Sequence, residues 1–200
     1  VTHQLEAGVK GLPRRRDLRY KMIGGNHDES FMKSAGTNII DALAQKRDDV
    51  QSYGFYSAML DLVVPGAKKP ITIELHHPSK AGAYALSYHM QKEIEQIPPG
   101  MKPQLLFMGH THQVSHLPDY RGIAGFLCGT FEDQTLFLKR MHASPNIGGW
   151  IVKAGLCADG SMKTLTTTWV RYFHSARGSV IGMNGETGEQ VRLEKRLSPG

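Results

Sequence analysis

The sequence predicts an α/β domain, and three observations carry that prediction. Short apolar runs ending in glycine alternate with a run of helical spacing through the middle of the 200-residue chain. Polar loops bearing histidine or asparagine follow the apolar runs. The alternation is the grammar of a sheet whose chemistry gathers at the carboxyl ends of its strands.

The elements follow in order. Residues 1–21 are basic and irregular, the end of a helix. "YKMIGG" (20–25) reads as a short strand stopped by two glycines, which can take positive φ and so allow a sharp exit. Residues 31–48 carry helical spacing, with Ile39, Ile40 and Leu43 on one side. "SYGFYSAMLDLVV" (52–64), rich in aromatic and branched residues and closed by Pro65-Gly66, suggests a strand or hairpin arm. Residues 71–75 of "PITIELHHPS" read as a buried strand. Ala83, Leu86, Met90, Ile94 and Ile97 then recur at three- and four-residue steps, a helix face that Pro98-Pro99 terminates. Leu105–Met108 is a third strand and "GIAGFLCGTF" (122–131) a fourth. From about residue 146 two strands joined at Asp159-Gly160, a favoured hairpin pair, are expected to enter a second sheet, with Trp150 and Trp169 in its core. Residues 1–174 are thus expected to form the domain and residues 175–200, polar and glycine-rich, a partly disordered tail.

Composition narrows the function classes. A hydrophobic fraction of 40% suits a globular protein, and no run approaches the roughly 20 apolar residues of a membrane helix. The expectation is a cytoplasmic protein without a membrane partner. Cys128 and Cys157 are too few for a disulfide framework and are read as small buried hydrophobes. A net charge of +6 tilts the partners toward polyanions, and "LPRRRDLRYK" (12–21) concentrates the basic side chains, as a solvated surface or a nucleic-acid contact.

Ten histidines are many for this length, and their placement matters more than their number. Three clusters occupy strand exits: Asn26-His27-Asp28, His76-His77, and His110 with His112. His3, His89, His142 and His174 fall outside that pattern and are assigned structural or surface roles; His116 is read the same way, as are Arg121 and residues 138–140. If the three exits share one sheet, their side chains converge. Neutral imidazoles and an amide oxygen suit divalent ions of the Mn, Fe, Zn or Co class better than Ca or Mg. The two rings of "GHTH" can point to two neighbouring ions. Ions about 3.5 to 4 Å apart would hold a hydroxide for in-line attack on a phosphoryl group. His27 is then placed to protonate the leaving alkoxide, with Asp28 orienting its ring.

"GGNHD" (24–28), a strand ending in "HHP" (76–78) and a strand ending in "GHTH" (109–112) resemble, in order and spacing, the later motifs of the calcineurin-like metallophosphoesterases. The resemblance covers residues 20–116; the stretch "TFEDQTLFLKRMHASPNIGGWIV" is similar to phage and bacterial members. It implies a metallophosphoesterase-type α/β/β/α sandwich and a two-metal hydrolase of phosphate esters, a phosphodiester such as DNA or RNA above a small monoester. It also implies that Asn26, His76 and His110 bind the second metal and His112 the first. His27 would be the phosphate-contacting general acid and Asp28 its partner, with His77 at most behind the ligands. The family's first two motifs, Asp-x-His and Gly-Asp-x-x-Asp/Asn, occur nowhere in this sequence. The expectation is a domain incomplete at its N-terminus, inactive as it stands. The alternative is a non-catalytic module, or accessory subunit of a nucleic-acid enzyme, that keeps the fold without the first metal.

Overall fold

The structure, a computed structural model, describes residues 2–79, 85–140, 144–174, 180–183 and 190–193. The chain is a mixed α/β fold. Helix α1 (Thr2–Gly11) precedes strand β1 (Tyr20–Gly24). Helices α2 (Asn26–Ala35) and α3 (Ile39–Lys46) follow, and strand β2 (Val50–Phe55) pairs in parallel with β1. The helical spacing expected over 31–48 is therefore two helices, broken at Gly36, which ends α2 at φ 62°. Asn38 opens α3 by accepting the amides of Ile40 and Asp41 on its side chain.

The expected arm over 52–64 is also two elements. Tyr56, at φ 69°, separates β2 from β3 (Ser57–Leu62), and the two strands enter different sheets. Strand β3, at one edge of a five-stranded sheet, lies antiparallel to β4 (Ile71–His76), and β4, β5 (Leu105–Met108) and β7 (Ile123–Cys128) run parallel. Strand β6 (Val114–Tyr120), absent from the sequence reading, closes the other edge antiparallel to β7. Its polar and proline-containing sequence, VSHLPDY, hides the apolar signal of a strand.

Alternation along these strands sends side chains to opposite faces and splits the core in two. Leu106, Met108, Ile123 and Leu127 face helix α4 (Tyr88–Gln96), whose Met90 and Ile94 are fully buried against them. Ile71, Leu105, Ala124 and Phe126 face the opposite way. They pack on Trp150, Val152, Leu156, Met162 and Leu165 of the hairpin formed by β8 (Gly148–Leu156) and β9 (Met162–His174). The helix is shorter than its apolar spacing: Leu86 is half exposed before its first turn, and Ala83 lies outside the described residues. A short helix α5 (Leu136–Arg140) leads from the first sheet toward β8.

Within the expected tail, β10 (Val180–Met183) pairs with β9 and β11 (Gln190–Leu193) with β10, extending the second sheet to the order β11-β10-β9-β8. The rest of 175–200 lies outside the described residues. The cysteine reading divides. Burial pushes the Cys128 thiol up to about 12, whereas Cys157 is exposed, because it opens the turn around Asp159-Gly160. No helix among the described residues is long and apolar enough to cross a membrane.

Candidate functional site

A chain of backbone hydrogen bonds ties the strand exits together. The Tyr56 amide donates to the Gly24 carbonyl (2.9 Å), the His77 amide to the Tyr56 carbonyl (2.6 Å), and the Gly109 amide to the His76 carbonyl (2.9 Å). These bonds link the carboxyl ends of β1, β2, β4 and β5, and so align the loops that carry the polar side chains.

Gly24 and Gly25 are required by close approach rather than by left-handed backbone. Gly25 has φ −107°, and neither glycine has positive φ. A Cβ on Gly25 would stand 2.4 Å from Cε1 of His77, and one on Gly24 would stand 2.6 Å from the Phe55 ring. The absence of two side chains leaves room for an imidazole above the start of α2.

That imidazole is His77. Its Nε2 lies 2.9 Å from Oδ1 of Asn26, and its ring centroid lies 4.8 Å from that of His110. Strand alternation explains why His77, and not His76, joins Asn26. His76 shares the face of Glu74 and points toward α4, with Nδ1 3.6 Å from Glu74 and Nε2 3.6 Å from Glu93. The period-two rule applied to "LHHP" would have found His77, since adjacent histidines leave a strand on opposite faces.

Asn26, His27 and Asp28 form the first turn of α2. Asp28 accepts the Gly25 amide at 2.9 Å, satisfying an otherwise unpaired donor at the helix start. Among the described residues no hydrogen bond joins Asp28 to His27. Consecutive helical residues point about 100° apart, so the expected orienting contact does not form. His27 is exposed, yet its charge depresses the pKa of both His77 and His110, and Asp28 acts in the opposite sense on His77.

The turn Gly109–Gln113 holds the remaining histidines. His110 (φ 68°) and His112 (φ 54°) both take left-handed backbone, a conformation that costs on the order of 1 kcal/mol or more outside glycine. With Tyr56, three of the four described non-glycine residues of positive φ border this site, and strain of that kind concentrates where function requires it. Asn146 holds the turn from outside. Its amide donates to the His112 carbonyl (2.8 Å), and its Oδ1 accepts the Val114 amide (2.9 Å). Nε2 of His112 is 3.9 Å from Glu132, while its buried Nδ1 has no hydrogen-bond partner among the described residues. Tyr56 donates its hydroxyl to Glu29 (2.8 Å), which also pairs with Lys33, bracing α2 against the site. Neither Tyr56 nor Asn146 carried a sequence signal.

Burial is the first cause that lowers the pKa of His77, followed by the charge of His110. For His110 burial again leads, followed by His112. Both rings are therefore held neutral near pH 7, each with a nitrogen lone pair available. Two neutral imidazoles and an amide oxygen suit a borderline divalent ion, and the unpartnered Nδ1 of His112 is a further nitrogen in the same turn. Among the described residues, however, no group of three or more His, Cys, Asp and Glu side chains is gathered to hold a metal ion. The donors thus fit part of one ion's shell.

No protein-family model matches the chain, and no curated protein matches it. Among solved structures, it is similar to the solution NMR structure of a Thermotoga maritima protein at 17% identity, over 79% of this chain and 72% of that one, with a TM-score of 0.27.

Proposed function

We propose that this site belongs to a metal-dependent hydrolase of phosphate esters, a phosphodiester in preference to a monoester, built on a metallophosphoesterase-type α/β/β/α sandwich. The observation that carries the reading is the convergence of Asn26, His77 and His110 at the exits of β1, β4 and β5, with both imidazoles kept neutral. The layering supports it too, with α4 on one face of the five-stranded sheet and β8–β9 on the other.

In this reading Asn26, His77 and His110 would hold one divalent ion of the Mn, Fe, Zn or Co class, and His112 would serve a second. The ions, when bound, supply the nucleophile and neutralise the phosphoryl oxygens. The chain's own part is positioning and proton transfer. His27, exposed at the start of α2, can reach a leaving oxygen and donate a proton to it, while the free amides of the first helical turn favour an anion there. Asp28 fixes that turn through Gly25.

Titration with Mn and Zn by calorimetry tests the donor set. His77→Ala and Gly25→Ala, which crowds the His77 ring, should each weaken metal binding about 10- to 100-fold. His27→Ala should leave it near wild type while cutting turnover of a dinucleotide, whose alkoxide leaving group needs the proton, far more than that of bis(4-nitrophenyl) phosphate, whose nitrophenolate leaves without one. Metal binding indifferent to His77 would sink the assignment.

A second reading is favoured by one observation: the incomplete donor set among the described residues, in a sequence without Asp-x-His or Gly-Asp. It is a non-catalytic module of a nucleic-acid enzyme. Metal-independent binding without any ester turnover would support it over the first.

A further inference from the structure

The arginine run lines a cavity of about 440 Å³ formed by Arg14, Arg15, Arg16, Arg19, Asp48 and Asp49. Asp49, at its floor, is locked by Arg47, which does not itself line the cavity. Arg47 and Asp49 form a two-pronged ion pair with side chains only 2% and 5% exposed, and Arg47 also donates to the carbonyls of Val9, Leu12 and Pro13. That network clamps the chain leaving α1 against the start of β2 and commits the Asp49 carboxylate chiefly to Arg47, with Arg14 a weaker neighbour.

The walls are different. Arg14 pairs with Asp48, and Arg15 with Asp17, but all four side chains are more than 60% exposed. Exposed pairs of this kind contribute at most about 1 kcal/mol, so an incoming backbone phosphate can displace them. The Arg16 side chain makes no hydrogen bond or ion pair among the described residues, and Arg19 uses one guanidinium nitrogen on the Arg16 and Leu18 carbonyls, leaving the rest of its fork free. A rigid floor under four exchangeable guanidinium groups is suited to phosphate oxygens, which arginine binds bidentately.

Position selects the source of that phosphate. Arg19 leads directly into β1, whose other end opens on Asn26; five strand residues at about 3.3 Å each separate the cavity from the His77 site by roughly 17 Å. Between the two lie Lys21 and the half-exposed Tyr53, with the ammonium 5.7 Å from the ring centroid, on adjacent strands of the β1–β2 sheet. A cation and an aromatic face in line with an arginine cluster are the elements of a track for a nucleic-acid strand. A single small phosphate ester could not engage both ends.

We propose that the Arg14–Arg19 cavity is a backbone-phosphate site for a nucleic-acid strand that runs along β1 and β2 toward His77. That the strand is substrate rests on the function proposed above; binding in the cavity does not. The test is fluorescence anisotropy of a labelled 15-nucleotide single-stranded DNA with the full chain, between about 50 and 200 mM salt. The double variant Arg15→Gln/Arg16→Gln changes exposed side chains only. It should weaken binding about tenfold at the lowest salt and flatten the logarithmic salt slope by about 1.4, the equivalent of two phosphates. Its turnover of bis(4-nitrophenyl) phosphate, too short to reach the cavity, should equal that of the parent chain. Unchanged affinity and slope overturn the proposal, as does equal competition by polyglutamate of matched charge. Absence of ester turnover in both proteins, the outcome expected of a domain without Asp-x-His and Gly-Asp, bears on the hydrolase alone, because the anisotropy still reads the cavity.

Discussion

Gly125→Ala probes the seat of α4 on the central sheet. Gly125 lies in β7 facing α4, and a Cβ there would stand 2.5 Å from Sδ of Met90, 3.1 Å from its Cγ and 3.5 Å from Cδ1 of Ile94. Ordinary carbon contacts fall at about 3.5 to 4.0 Å, so the end of Met90 has to retreat by about 1 Å. Met90 and Ile94 are both fully buried, which leaves little space to retreat into. Overpacking of this kind costs about 1–3 kcal/mol. Two effects reduce it: methionine adapts through three rotatable bonds, and replacing glycine restricts the unfolded chain by about 0.4–1 kcal/mol. A net loss of about 1–2 kcal/mol remains, which for a chain of this size lowers Tm by roughly 2–8 °C. Thermal denaturation followed by circular dichroism measures it. Met90→Ala should cost about 2–5 kcal/mol alone, and the double variant should recover part of the sum, because the new methyl occupies the space that Met90 vacates. Strict additivity, or a Gly125→Ala melting point within about 1 °C of the parent, would refute the packing of α4 against β7.

Two further outcomes follow from the site. Asn146→Ala leaves the Val114 amide without its acceptor and should destabilise the chain by about 1–3 kcal/mol, with the loss concentrated in faster amide exchange at residues 110–114. Uniform protection across that turn would contradict the role of Asn146. The pH dependence has a definite sign. The folded pKa of His77 and of His110 is depressed, so the unfolded chain binds protons that the folded site refuses; stability is complete above about pH 6.5 and declines as pH falls below it. Denaturant midpoints at pH 7.5 and 5.5 measure the slope, and His77→Ala should shrink it. An unaltered slope would mean that His77 is not held neutral by its surroundings.

The strands of the five-stranded sheet were legible where apolar runs were continuous, as in Leu105–Met108 and Ile123–Cys128, because a strand buried on both faces needs no alternation. Strand β6 was not, since half its side chains are polar. The three strand-exit clusters were legible as a group, but the partition of His76 and His77 between faces depends on where β4 ends. The role of Asp28 likewise depends on α2 starting at Asn26, which turns a triplet in a presumed loop into the first turn of a helix. Nor does spacing alone explain Gly25, since its constraint comes from a ring 52 residues away in the chain.

What the sequence determined by itself was an α/β chain with imidazole and amide groups at the ends of its apolar runs, because local periodicity and turn chemistry are written in neighbouring residues. Which of those groups meet was decided only by tertiary structure. The Tyr56–Gly24, His77–Tyr56 and Gly109–His76 bonds join residues from 21 to 33 positions apart, and that long-range register sets His77 over Gly25 and turns His76 toward Glu93, while the Arg47–Asp49 pair fixes Asp49 among the arginines of 14–19.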